Sequence, residues 1–109
     1  MTSEALTEHE FEKRADDELK KLVTALDEVD DIECDLQMGV LTISLADGAR
    51  YVVNSHRAAK QIWAAAELTA WHFDPQPGGR WVATKNGDEL WSTVERILTN
   101  KLVRAVKLR

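Results

Sequence analysis

The spacing of apolar residues changes at Asp30-Asp31, and this change constrains the fold more than any other feature of the sequence. Before it, apolar residues recur every three or four positions, which is typical of an amphipathic helix. After it, apolar and polar residues alternate over 32–37, which is typical of a half-buried strand. The helical stripe is Phe11, Ala15, Leu19, Leu22, Leu26 and Val29.

The first helix has a clear start signal. Thr7 and Glu10 have the spacing of a capping box, in which a hydroxyl and a carboxylate satisfy backbone donors of the first turn. We therefore predict a helix over about residues 8–29.

Several short alternating segments follow the first strand. Met38-Gly39 turns the chain, and Asp47-Gly48 is a two-residue hairpin signal. The sequence DPQPGG at 74–79 is a further turn. The predicted strands cover 32–37, 40–45, 49–54 and about 60–66, 70–74 and 80–85.

A second helix is predicted near the C-terminus. Asn86-Gly87-Asp88 provides a break and a cap, after which Leu90, Trp91, Val94, Ile97 and Leu98 have helical spacing up to about Asn100. With 109 residues the chain is long enough for one core, so we predict a single domain over 1–109. The fold class is α+β: a two-layer sandwich in which an antiparallel sheet of about six strands is covered on one face by both helices.

The alternation also predicts which side chains point away from the core. Ile62 suits the core, so the adjacent Trp63 points outward. Burial of Trp71 and Phe73 turns His72 the same way. A tryptophan within an exposed polar ring is typical of a protein interface, and a half-covered packing residue between strands is the alternative. The predicted open-face residues are Asn54, Gln61, Trp63 and His72.

Charge is unevenly distributed along the chain. Residues 1–38 carry thirteen acidic and four basic side chains, a net charge of −9, whereas residues 39–109 carry a net +4. An anionic surface repels phosphate backbones and attracts cations or basic proteins. Nucleic acid is therefore a poor candidate partner.

Carboxylates are concentrated where the first helix ends and the first strand begins. Clustered carboxylate oxygens suit hydrated hard cations, but no calcium-loop glycine, histidine pair or cysteine ligand fixes a geometry, so binding is expected to be weak. A solvated charged face is the alternative. The cluster consists of Asp16, Asp17, Asp27, Glu28, Asp30, Asp31, Glu33 and Asp35.

Catalytic motifs are sparse in this sequence. His9 is expected at a solvated helix start and His56 in a loop, and neither has an evident serine or carboxylate partner. We therefore expect a binding or regulatory protein rather than an enzyme. Cys34, the single cysteine, excludes an internal disulfide and is predicted to be a small core residue. No signal or membrane segment is recognised, so a cytoplasmic location without a membrane partner is expected.

The order of several short motifs resembles the frataxin family, called CyaY in bacteria. Each motif is weak alone, but their order and spacing are specific, and they cover essentially the whole chain. They are Ala15-Asp16 in an acidic first helix, DIECDL from 31, GVLTI at 39–43, DGARYVVN at 47–54, QIW at 61–63, HFD at 72–74, Trp81 and NGDELW at 86–91.

The resemblance implies an iron-binding regulator of iron–sulfur cluster assembly. Members of the family bind iron weakly and dock on the complex of cysteine desulfurase and its scaffold protein, where they tune sulfur transfer. The resemblance places docking at Asn54, Gln61 and Trp63. Eukaryotic members have arginine where His72 stands, so a histidine there would make the contact sensitive to pH. By the same resemblance the iron-binding residues are Asp16, Asp27, Glu28, Asp30, Asp31, Glu33 and Asp35.

Other functions consistent with the resemblance remain. An iron chaperone or store would act through metal occupancy of the same carboxylates, with other divalent cations as further ligands. A ferroxidase is a weaker alternative because the ligands are not enclosed. A monomer is expected, with oligomers induced by metal.

Overall fold

The computed structural model describes residues 6–108 and contains two helices and six strands. The strands form one antiparallel sheet in the order β1-β2-β3-β4-β5-β6, and both helices pack on one face of it. The predicted α+β two-layer architecture is confirmed. The elements are α1 (Glu8–Leu26), β1 (Ile32–Gln37), β2 (Val40–Leu45), β3 (Arg50–His56), β4 (Gln61–Ala66), β5 (Thr69–Pro75), β6 (Trp81–Val82) and α2 (Leu90–Leu102).

The core lies between the helices and the sheet. The α1 stripe from Phe11 to Leu26 is buried, and alternate residues of the strands meet it as the period-two pattern predicts. Phe11 contacts Trp81 edge to face with ring centroids 5.9 Å apart. The largest side chains with almost no exposure are Trp81, Phe11, Phe73, Leu19, Leu22, Leu26, Leu41, Ile43, Ile62, Leu90 and Leu98.

The first helix starts as predicted but ends early. The capping box is present, since Glu10 N–H donates to the Thr7 hydroxyl and Thr7 N–H donates to the Glu10 carboxylate. The helix ends at Leu26, and Val29, predicted to be helical, lies in the following loop. No basic residue in the last turn balances the helix dipole, and carboxylates follow at once, which disfavours a longer helix.

Two predicted hairpins differ in their turns. Gln37 pairs with Val40, so Met38 and Gly39 form a two-residue turn. Both residues have positive φ, as such a turn requires. The turn at Asp47-Gly48 was predicted to have two residues, which is wrong: Leu45 N–H donates to the Ala49 carbonyl and encloses three residues. Gly48 takes the positive φ that closes such a three-residue loop.

The C-terminal elements also differ from the prediction. β6 has only two residues, since Asn86 N–H and Gly87 N–H donate to the Ala83 carbonyl and turn the chain away from the sheet. The predicted cap at residues 86–88 is wrong, because the N-cap of α2 is Glu89. Its carboxylate accepts the N–H groups of Trp91 and Ser92, each at 3.1 Å.

The burial of Cys34 and the length of the helices complete the comparison with the sequence predictions. Cys34 packs against the core but is only half-buried, because β1 is an edge strand. Neither helix within residues 6–108 is long and apolar enough to cross a membrane.

Candidate functional site

Strand register brings the predicted docking residues together on the uncovered face of the sheet. One row runs across β1 to β5, and we call it the open-face row. Gln61 lies on the same face, two residues before Trp63 on β4. All four predicted docking residues therefore share one surface. The open-face row consists of Gln37, Val40, Asn54, Trp63 and His72.

The indole of Trp63 lies between two imidazole rings, and we call this group the histidine stack. The His56 ring is nearly parallel to the indole, with centroids 3.8 Å apart and a 14° interplanar angle. His72 stacks on the other side at 4.2 Å and 15°. Trp63 thus lies on the open face, as predicted, and is also half covered by its neighbours.

A chain of hydrogen bonds fixes the edge of the same indole. Trp63 Nε1–H donates to Gln61 Oε1 at 2.8 Å, and Gln61 Nε2 donates to Asp74 Oδ1 at 3.0 Å. The Thr84 hydroxyl donates to Asp74 Oδ2 at 3.2 Å. The indole is therefore held both through its faces and through its edge, which limits its rotation before any partner binds.

Sequence reasoning missed three residues of this arrangement. His56 was predicted to be a loop residue, but it is the last residue of β3 and shares outward parity with Asn54. The alternation already placed Asp74 on the same face as His72, but it gave no reason to include Asp74 in the docking surface. Thr84 falls within the strand predicted over about 80–85 but lies just beyond β6, and its contact with Asp74 depends on the pairing of β5 with β6.

Beside the open-face row the sheet carries short side chains, and its β1 edge is acidic. The next row across the strands carries short side chains: Thr42, Val52, Ala65 and Ala70. Asp35 lies at the β1 end of this second row, and Glu33, which pairs with Ser44 in the row beyond it, is also exposed. A partner on this face would meet an aromatic group at β4 and carboxylates at β1.

We call the seven predicted iron-binding carboxylates the acidic ridge, and the structure distributes them over three elements. All are exposed. Asp16 lies within α1, and the α1–β1 loop carries the largest group. β1 contributes two outward side chains. The acidic ridge consists of Asp16, Asp27, Glu28, Asp30, Asp31, Glu33 and Asp35.

Ion pairs neutralise part of the acidic ridge. Lys20 lies 2.9 Å from Asp16, and Arg104 lies 2.8 Å from Asp31. The neighbouring Asp17 pairs more loosely with Lys13, at 3.7 Å. The Arg104 contact joins residues 73 positions apart, and the sequence contains no local signal for it. Within residues 6–108, Asp27, Glu28, Asp30 and Glu33 form no ion pair.

The acidic ridge contains no preformed metal cage in the part of the chain that the structure describes. No three histidine, cysteine, aspartate or glutamate side chains there lie close enough to hold one ion. Exposed carboxylate oxygens nevertheless suit a hard cation that keeps much of its water. The donor set fits weak, hydrated binding rather than a rigid site.

Cys34 lies between two ridge residues on β1 but points to the opposite side of the sheet. Burial, and secondarily the charge of Asp27, raises the pKa of its thiol to about 11. This thiol is therefore protonated and unreactive at neutral pH.

Comparison with known proteins identifies the family. The model of the frataxin-like domain matches residues 4–104. The chain belongs to the frataxin-like family.

Solved frataxin structures resemble this one over nearly the whole chain. A frataxin from Psychromonas ingrahamii is 21% identical with a TM-score of 0.87, covering 95% of this chain and 99% of that one, and shows the same fold. Trimeric frataxin from the yeast Saccharomyces cerevisiae, complexed with ferrous iron, is 32% identical with a TM-score of 0.65, covering 96% of this chain and 90% of that one. A second trimeric yeast structure, with its full-length N-terminus, is 29% identical with a TM-score of 0.65. It covers 97% of this chain and 85% of that one.

Proposed function

We propose that this frataxin-like protein is a non-catalytic cytoplasmic regulator of iron–sulfur cluster assembly. It docks on the complex of cysteine desulfurase and its scaffold protein through the open-face row and Gln61. The acidic ridge steers this docking and binds iron weakly. The observation that carries the proposal is Trp63, a half-exposed indole fixed on a sheet face that no helix of the described chain covers.

The fixed indole supports docking energetically. Tryptophan anchors supply much of the affinity of protein interfaces, and an anchor ordered before binding loses little entropy on association. The short side chains of the adjacent row let a partner approach closely around Trp63.

The acidic ridge supports steering rather than tight contact. Its exposed carboxylates border the same face, since Glu33 and Asp35 lie on the outward side of β1. Opposite charges on a partner speed the encounter and fix orientation more than they add affinity. The partner surface opposite β1 is accordingly basic.

The docking proposal is tested by Trp63→Ala against Leu68→Ala. Leu68 is fully exposed in the turn between β4 and β5, at the other end of the sheet from the Trp63 row. Loss of a hot-spot indole is expected to cost about 2 kcal/mol or more, a decrease of about 30-fold in affinity for the purified complex. Leu68→Ala should change affinity less than about twofold.

Calorimetry with folded variants, checked by circular dichroism, measures the two affinities. Equal affinities for the two variants would exclude the open-face row as the docking surface.

The second candidate function is an iron chaperone or store. The ferrous complex of the 32% identical yeast frataxin favours it, together with the exposed carboxylates of this chain. Titration with Fe(II) should broaden amide signals of residues 27–35 in NMR spectra, and Glu33→Gln with Asp35→Asn should weaken the effect more than Asp17→Asn does. Absence of broadening at 27–35 would remove the metal function.

A store also differs from a docking regulator in its assembly state. The two yeast structures are trimers. We propose a monomer for this chain without metal, measured by sedimentation velocity, and oligomers on iron addition only if storage is the function. Oxygen consumption during the same titration tests the weaker ferroxidase alternative.

A further inference from the structure

The histidine stack contains two of the three histidines of the chain. Histidine is the side chain that ordinarily changes charge between about pH 5 and pH 8, and one histidine ring lies on each face of the Trp63 indole. The remaining histidine, His9, lies in the first turn of α1 and outside the stack.

We propose that the histidine stack makes docking sensitive to pH: the neutral stack docks, and protonation of His56 and His72 weakens docking. This inference rests on the proposed docking function and specifies how that surface is regulated. His56 and His72 are positioning residues for Trp63, because they act through the orientation and surroundings of the indole.

Protonation of His56 conflicts with its local hydrogen bond. Ala59 N–H donates to His56 Nδ1 at 3.3 Å, which requires an unprotonated nitrogen there. A protonated imidazole carries donors on both nitrogens and cannot accept this bond. Protonation therefore breaks the contact that holds the ring to its loop, and the His56 ring loses the hydrogen bond that fixes its orientation.

The loop beyond His56 has independent attachments. Lys60 N–H donates to the Arg57 carbonyl at 3.1 Å, and the Arg57 guanidinium lies 3.8 Å from Glu8 and 3.3 Å from Glu12 on α1. The loop therefore keeps its place when the His56 bond is lost. The imidazole, rather than the whole loop, is the part free to move.

Protonation of His72 acts differently but also opposes docking. His72 is exposed and stacks flat on the indole, where an imidazolium would be attracted by the ring. Docking must remove water from that cation, which is costly unless the partner supplies an acidic group. Because the acidic ridge on the same sheet face favours a basic partner surface, no such compensation is expected.

Charged groups of both signs lie around the stack. β4 brings no charged residue to the open face, and β5 brings only Asp74, whose oxygens accept from Gln61 and Thr84. On the β3 side, Arg50 lies further along the same face, and Lys60 and Arg57 belong to the loop. Arg57 is paired with Glu8 and Glu12, so Arg50 and Lys60 are the cations that add to the charge of a protonated stack, and Asp74 opposes them.

The test compares docking at about pH 8 and about pH 6 for three proteins. The wild type is expected to lose about tenfold in affinity at the lower pH. His56→Phe with His72→Phe keeps two rings that can stack but do not titrate, so its affinity should change much less. His9→Gln should behave like the wild type. Protonation of groups on the partner affects the affinities of all three proteins equally, so it does not contribute to the difference between them.

The outcomes separate this inference from the docking proposal. Docking with the same pH dependence in the wild type and the double phenylalanine variant overturns the inference alone. No docking at any pH overturns both. NMR of the free protein gives a further readout: the Trp63 indole N–H shift should move with the titration of His56 and His72 and stay constant in the double variant. An indole signal that does not respond to pH in the wild type also overturns the inference.

Discussion

The open-face row and the acidic ridge are both exposed surfaces, but the chain builds them in different ways. Sheet register fixes every position of the row, and the Trp63 indole has a ring on each face and a hydrogen-bonded edge. The ridge spreads over a helix, a loop and an edge strand, and only Asp16 and Asp31 of its residues form ion pairs within residues 6–108.

This difference indicates that the two surfaces contribute to binding in different ways. A side chain held in one orientation can contribute specificity and slow dissociation, because little order is lost on binding. Dispersed carboxylates contribute an electric field, which speeds encounter and attracts cations without a defined geometry.

The largest expected effect comes from removing the support under Trp63. Asp74→Ala leaves Gln61 Nε2 and the Thr84 hydroxyl without their acceptor, so the free energy of unfolding should fall by about 1–2 kcal/mol and docking affinity about tenfold. Asp35→Ala on the ridge, where only Gln37 Nε2 donates at 3.3 Å, should change stability by less than about 0.5 kcal/mol. Urea denaturation measures both values. Equal losses would show that the row is no more ordered than the ridge.

Salt should separate the two surfaces kinetically. Raising sodium chloride from about 0.05 to about 0.5 M screens the exposed ridge, so the association rate with the desulfurase complex should fall about tenfold while the dissociation rate stays nearly constant. Trp63→Ala should instead raise the dissociation rate and leave the association rate nearly constant, which stopped-flow or surface plasmon resonance experiments measure. A dissociation rate that rises steeply with salt in the wild type would mean that ridge charges hold the complex together.

The sequence predicted the sheet face better than it predicted the ridge. Strand periodicity determines which side chains share a face of the sheet, so Trp63 and His72 were placed outward correctly. The same rule applied two residues further along β3 would have included His56. Ring stacking could not be inferred, because it depends on cross-strand register between three strands.

The ridge was harder to predict because its partners are distant in sequence. Residue spacing correctly located the carboxylates near the end of α1, yet the pairing of Asp31 with Arg104 depends on where the C-terminal tail crosses the fold. Helix length failed at Val29 for a related reason, since the apolar spacing continues into a loop where Val29 N–H donates to the Leu26 carbonyl. The spacing of apolar residues gives no signal that α1 ends at Leu26.

Arg104 is expected to stabilise the fold and to weaken cation binding at the acidic ridge. Its guanidinium donates to the Asp31 carboxylate at 2.8 Å and to the Asp30 carbonyl at 2.7 Å. Arg104→Ala should lower the free energy of unfolding by about 0.5 kcal/mol, since the pair is largely exposed, and should strengthen Mn(II) binding a few-fold by freeing a carboxylate. Urea denaturation and paramagnetic broadening at residues 30–35 measure the two effects. Lys107→Ala removes the same charge from the same tail and is the control, and an equal gain in that variant would assign the effect to net charge alone.

The smallest effect uses Cys34 as an internal reporter of the ridge. Burial is the main reason that its pKa is about 11 rather than 9.0, and the Asp27 charge is the second. Asp27→Asn should therefore lower the pKa only part of the way, which the pH dependence of alkylation by iodoacetamide measures, whereas Asp35→Asn should leave it unchanged. A divalent cation bound at Asp27 removes the same negative field, so it should lower the Cys34 pKa in the wild type but not in Asp27→Asn. A cation that broadens ridge signals while leaving the Cys34 profile unchanged would be bound on the β1 side of the ridge, away from the end of α1.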